Sequence, residues 1–146
     1  MTVLNRETVR DAFVTILSAA LVGTGKPCKS VLGYPADRIS SSPLVCVSSL
    51  SASEEKLAKA SFGWQFVFQV EILVRWKDDT SWTQANAEDK MDAIWVIIAG
   101  VIEDNQANAN WSVLEVTEDA CDMVAIGGNS YRREVMQVQI GGVRTA

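Results

Sequence analysis

Between Phe62 and Trp76 the chain alternates with a period of two. Phe62, Trp64, Phe66, Phe68, Val70, Ile72, Val74 and Trp76 are all apolar, and Gln65, Gln69, Glu71 and Arg75 stand between them. Successive side chains of a strand point to opposite faces, so the stretch writes one continuous apolar face and one mostly wet face, broken only by Val67 and Leu73. A helix would scatter these aromatic residues around its whole circumference. Their enrichment, with that of β-branched residues, favours a strand of an antiparallel sheet with one covered face. At about 3.3 Å per residue the stretch reaches roughly 50 Å, far beyond a usual strand of about 5–6 residues. The strand therefore bends, or projects beyond the body of its own domain.

An apolar sheet face needs a cover, and two segments supply amphipathic helices. Asn5 is placed to cap the first, Glu7 lies in its first turn, and Val9, Phe13, Ile16, Leu17, Ala20 and Leu21 recur at helical spacing until Gly23. Thr83 caps the second, with Glu88 and Asp89 close behind. Its stripe is Met91, Ile94, Trp95, Ile98, Val101 and Ile102. Ala93, Val96 and Ile97 widen that apolar arc, so this helix is expected to be buried on more than one side, by a neighbouring helix or a neighbouring subunit.

Residues 23–43 are rich in turn formers and make either a long ordered loop or one short strand near Ser30–Tyr34. Leu44–Val47 reads as a short buried strand entered through Pro43. The polar stretch Ser48–Ser61 reads as a flexible loop, and Lys77–Ser81 as a turn. After a polar terminator, Glu103–Asn110, the segment Trp111–Glu118 changes phase at Leu114, which indicates a strand with a bulge or one buried on both faces. Asp119–Ser130 reads as a second long loop, and Tyr131–Ile140 as a final strand. The expected fold is α+β: an antiparallel or mixed β-sheet of about four to five strands with two amphipathic helices packed on it, as one domain over residues 1–146.

The chain has 146 residues, 48% of them hydrophobic and 21% charged, enough for a sizeable core. Its net charge of -5 argues against affinity through phosphate neutralisation, which needs a basic face. The longest apolar run, Ala93–Ile102, is too short to span a bilayer, and the start lacks a signal segment, so a soluble chain made in the cytoplasm is expected. Cys28, Cys46 and Cys121 are odd in number and contain no Cys-x-x-Cys pair; they read as buried or free thiols.

No histidine is present, so triads that rely on it cannot be built and the commonest metal ligand is missing. Gly25-Lys26 imitates the tail of a phosphate-binding loop, but Pro27 follows, Ala20 stands where glycine is needed, and a helix precedes it where a strand is required. Glu118, Asp119 and Asp122 offer hard oxygen ligands without the spacing of a Ca²⁺ loop, and read as solvated acids. Asn110-Trp-Ser112 has the form of a glycosylation sequon, of no consequence in a chain that is not secreted. Trp64, Trp76 and Trp95 fall in phase with core stripes, which leaves Trp82 as the best exposed contact. The expected list of catalytic, cofactor-binding and metal-binding residues is therefore empty, and no cofactor is expected.

Several phrases resemble the tail terminator (tail completion) proteins of long-tailed bacteriophages. They are the opening Asn5-Arg-Glu-Thr-Val-Arg10 helix, Gly33-Tyr-Pro35 leading to Ser42-Pro-Leu-Val-Cys-Val47, the long aromatic strand, the Asp89–Ile102 helix, Asn110-Trp111, and Gly128-Asn-Ser-Tyr131 before the last strand. The resemblance covers nearly the whole chain and rests on structural phrases without a chemical signature. It implies a non-enzymatic virion protein of the tail and neck, assembled in the host cytoplasm. Such proteins form a homo-oligomeric ring, usually a hexamer, which ends the tail tube, meets the tube protein, and offers a face to the head-completion or connector protein. DNA crosses the lumen without specific binding, helped by an acidic lining, and no membrane is involved. Another neck component, a head-closure or connector protein, is the alternative within assembly; a small-ligand-binding or catalytic α+β domain is the alternative outside it.

Overall fold

A computed structural model describes residues 5–36, 42–76 and 83–145. In chain order the elements are α1 (Arg6–Leu21), β1 (Ser30–Leu32), β2 (Leu44–Ala58), β3 (Ser61–Trp76), α2 (Gln84–Asp104), β4 (Val113–Ile126) and β5 (Asn129–Thr145). The strands form one five-stranded mixed sheet in the order β1-β2-β3-β5-β4, with only the β1–β2 pair parallel. Both helices pack on it, so the fold is α+β as expected. Among the described residues, no helix is long and apolar enough to cross a membrane.

The long alternating stretch is β3, the central strand. It pairs along its whole length with β5, from Ser61 opposite Thr145 to Trp76 opposite Ser130. Trp64, Phe66, Phe68, Val70, Ile72 and Val74 are buried, while Phe62 and Trp76 at the ends are half-buried. Trp64, Phe66 and Phe68 stack along the strand with ring centroids 5.1 and 6.1 Å apart. The face receives Val9, Phe13, Leu17 and Leu21 from α1 and Met91, Ile94, Ile98 and Ile102 from α2. Trp111 closes the core beside Phe13, edge-on at 6.4 Å, and its indole nitrogen donates to the Asn105 carbonyl at 2.7 Å. Leu73, which broke the wet face in sequence, packs with Leu44, Cys46 and Tyr131 in a small second cluster on the opposite side of the sheet.

Both helix starts follow their caps. The Asn5 side chain accepts from Thr8 N at 3.2 Å and that of Thr83 from Asn86 N at 3.3 Å, satisfying amides that a helix start leaves without intrahelical partners. Of the two options for residues 23–43, the short strand is present, as Ser30–Leu32. Of the two options for Trp111–Glu118, the bulge is present, between Val116 and Glu118, just beyond the phase change at Leu114.

Two expected loops are strands instead. Ser48–Ser61 holds most of β2 and only a turn at Lys59-Ala60, and Asp119–Ser130 holds the rest of β4 and a tight turn at Gly127-Gly128. Both glycines have positive φ, 60° and 81°, the backbone that a two-residue hairpin turn requires. The stretches look like loops in sequence because Leu50–Ala58 and Glu115–Met123 are exposed, and strands with little covered surface carry no alternating pattern. β5 also runs past Ile140, through Gly141 and Gly142, to Thr145. The expected turn Lys77–Ser81 and the contact residue Trp82 lie outside the described residues.

Inside α2, a Cβ built on Gly100 would meet nothing within 4 Å. Glycine in a helix interior costs about 1 kcal/mol relative to alanine. Gly100→Ala is therefore expected to stabilise the protein by about 0.5–1 kcal/mol in denaturant unfolding. A loss of stability would show that this position has a packing partner outside the chain's own helix.

Candidate functional site

The acids that looked like a cation clasp are drawn apart by the strand that holds them. Asp119 and Asp122 are three residues apart on β4, beyond its bulge, so they point to opposite faces of the sheet. Asp122 accepts two hydrogen bonds from Arg133, at 2.8 and 2.6 Å, and Arg133 also reaches Glu71 at 3.1 Å. The guanidinium holds the Asp122 carboxyl below its ordinary range. Asp119 turns toward α2, where its Oδ2 accepts from the Trp95 indole at 2.8 Å. Among the described residues, no group of three or more acids or cysteines is placed to hold a metal ion.

Trp95 is 40% exposed and is not the core residue that its helical phase implied. The α2 stripe that reaches the sheet is Ala87, Met91, Ile94, Ile98 and Ile102; Trp95 lies one step of about 100° to the side, over the edge strand, where the sheet beneath it runs out. With Val96 62% exposed, the outer side of α2 is open in the single chain, where a second cover was expected. Trp64 is in the core as expected, and Trp76 is half-buried at its border.

Below Trp95, an open cleft is lined by Asp92, Trp95, Asp119, Ala120, Cys121 and Glu134. Glu134 is the buried charged residue among the described side chains, 5% exposed. Desolvation, then hydrogen bonding to Asp119 and its charge, raise the Glu134 carboxyl to about 7. The Cys121 thiol donates to Glu134 Oε1 at 3.5 Å and is itself pushed up to about 11, first by desolvation and then by the Glu134 charge. Cys28 and Cys46, both buried, are raised to about 12 and about 11 by desolvation. None of the three is a thiolate at neutral pH, which removes the state that acts as nucleophile.

Glu134 links this cleft to stability. Its folded-state value lies above the ordinary 4.5, so between about 4.5 and 7 the folded chain holds a proton that the unfolded chain has released. The folded state is favoured below that window and loses the contribution as pH rises through about 7. Glu134→Gln removes the ionisable group and is expected to raise stability at pH ~8 by about 1–2 kcal/mol, with little change at pH ~5. Paired thermal melts at the two pH values check this; a variant less stable at the higher pH overturns it.

Gly25-Lys26 sits at the C-terminal end of α1, where the Lys26 ammonium donates to the Ala19 carbonyl. This is the negative end of the helix dipole, the end that attracts cations and repels phosphate. The sequence matches no protein-family model and no curated protein.

What the surface offers is two flanks and an open sheet face. The open face carries Gln65 and Gln69 from β3 and Gln137 and Gln139 from β5, with Gln69 directly opposite Gln137. One flank is the outer edge of β4, which no described strand pairs, beside the side of α2 that no described residue covers. The other is β1, beside α1 and the connection between them. The residues missed in sequence are Glu134 and Cys121. Glu134 stands in phase with Met136, Val138 and Ile140, so the period of two places it on the covered face of its strand; what no local signal gives is the set of side chains from α2 and β4 that surround it.

Proposed function

We propose that this protein is a structural virion component resembling the tail terminators of long-tailed phages. It would form a ring that ends the tail tube, meets the head connector, and lets DNA pass. The observation that supports the reading is a sheet that outgrows its helices. Leu50–Ala58 of β2 and Glu115–Met123 of β4 are strand, each interrupted by a register shift, yet exposed, and among the described residues β4 ends the sheet with an unpaired edge. A long bare strand is a liability in a free monomer and is ordinarily paired, covered or blunted. Covering by neighbouring copies and by a tube end would meet that need here. Leu57, 54% exposed at the tip of the β2–β3 hairpin, and Val96 on α2 are apolar groups that such neighbours would bury.

The test mixes the purified protein with tail tubes lacking their terminal cap and examines them by electron microscopy. A variant whose β2–β3 hairpin is shortened by matched residues on both strands serves as the comparison. Density confined to one tube end, lost in the shortened variant, is the expected result. A folded protein that ignores tubes, or coats them along their length, overturns the reading.

A further inference from the structure

The two edges of the sheet carry opposite charge. β4 contains Glu115, Glu118, Asp119 and Asp122 and no lysine or arginine. Residues 12–36, which run from α1 through β1, contain Lys26 and Lys29 and no aspartate or glutamate; the first half of α1 carries both signs, Arg6 and Arg10 beside Glu7 and Asp11. The strand order places β1 and β4 at opposite edges of one sheet, so the acidic and basic flanks face away from each other. Each also exposes apolar surface: Val116 and Met123 on β4, 42% and 47% exposed, and Tyr34 just after β1, 61% exposed.

We infer that the occupant of the β4 flank is a second copy of this chain, presenting its α1–β1 flank, so that Glu115 and Glu118 of one copy face Lys26 and Lys29 of the next. The inference rests on the ring-forming reading and names the contact that would build the ring. Charge selects this pairing over its rivals. Asp122 is paired with Arg133, but two β4 flanks brought together would still set Glu115, Glu118 and Asp119 of one copy against those of the other, and two β1 flanks would set lysine against lysine. Only the unlike pairing is attractive, and because it joins different patches it is heterologous. Repetition then propagates in one direction and closes into a ring when the rotation per copy divides the circle.

The experiment uses two full-length variants, Glu115→Lys with Glu118→Lys, and Lys26→Glu with Lys29→Glu. Assembly is followed by native mass measurement and sedimentation, alone and with capless tail tubes. The wild type is expected to assemble and to fall apart as salt rises from about 0.05 M to about 1 M. Each variant alone should assemble at least tenfold more weakly. Mixed at equal amounts, they should recover oligomers containing both chains, because the reversed β4 flank of one now matches the reversed β1 flank of the other. Recovery also shows that both variants are folded. Should Lys26→Glu weaken the end of α1, Lys29→Glu alone, exposed and outside the helix, carries the same comparison. Variants that assemble like the wild type, or a folded pair that does not recover, overturn the contact while the ring reading stands. Rings that form through this contact but ignore tubes leave the contact in place and remove the phage reading. A wild type that assembles neither in solution nor on tubes removes both.

Discussion

Phe68→Asp is expected to abolish folding. Phe68 is fully buried at the centre of β3, opposite Val138, on the face that the two helices cover. Removing its ring alone costs about 3–5 kcal/mol, and a carboxylate placed there finds no described cation in the surrounding cluster of apolar side chains. A domain of this size is stable by roughly 5–15 kcal/mol, so the combined loss consumes most or all of it. Ile98→Asp, from the α2 side of the same core, is expected to do the same. Gln69→Asp, one residue along β3, places a charge on the open sheet face and should cost about 1 kcal/mol or less. Circular dichroism and thermal melts of the three variants make the check. If Gln69→Asp were as damaging as Phe68→Asp, the assignment of faces would be wrong.

The second large effect is expected at two glycines of β5. A Cβ on Gly141 would lie 2.9 Å from the Trp64 carbonyl oxygen, and one on Gly142 would lie 2.9 Å from the Trp64 ring. Gly142 is directly opposite Trp64, and the absence of a side chain lets the indole lie across the strand. At Gly141 the obstacle is backbone of the central strand, which cannot move without disturbing its pairing on both sides. Gly141→Ala is therefore expected to cost about 1–3 kcal/mol, as overpacking does elsewhere. Gly142→Val should cost at least as much, because the branched side chain must displace the whole indole. Denaturant midpoints measured beside Gln139→Val, a half-buried position on the same strand, provide the contrast. Tolerance of Gly142→Val with unchanged tryptophan fluorescence would show that the indole does not rest on this glycine.

Burial rules explain which of the candidate residues could be placed in advance. Trp64 and Trp95 both fall on apolar stripes, but only the first lies over the middle of the sheet. The strand order decides this, and strand order is a property of long-range pairing that no local window contains. Asp119 and Asp122 look like one acidic patch at a spacing of three; as strand residues they face opposite ways, and each takes a different partner. The cleft at Glu134 was illegible for the same reason, since its walls come from α2, β4 and β5.

By itself the sequence determined the central strand, the two capped helices and the faces they share. Each of these is written in a periodicity or a cap that acts over a few neighbouring residues, and burial on one side makes the periodicity visible. Only the tertiary structure decided that Ser48–Ala58 and Asp119–Ile126 are strands. Their side chains are polar because little covers them, so the alternation that marks a half-buried strand is missing. What holds them extended is backbone hydrogen bonding to β3 and β5, which is blind to side-chain polarity and is set by the partner strand.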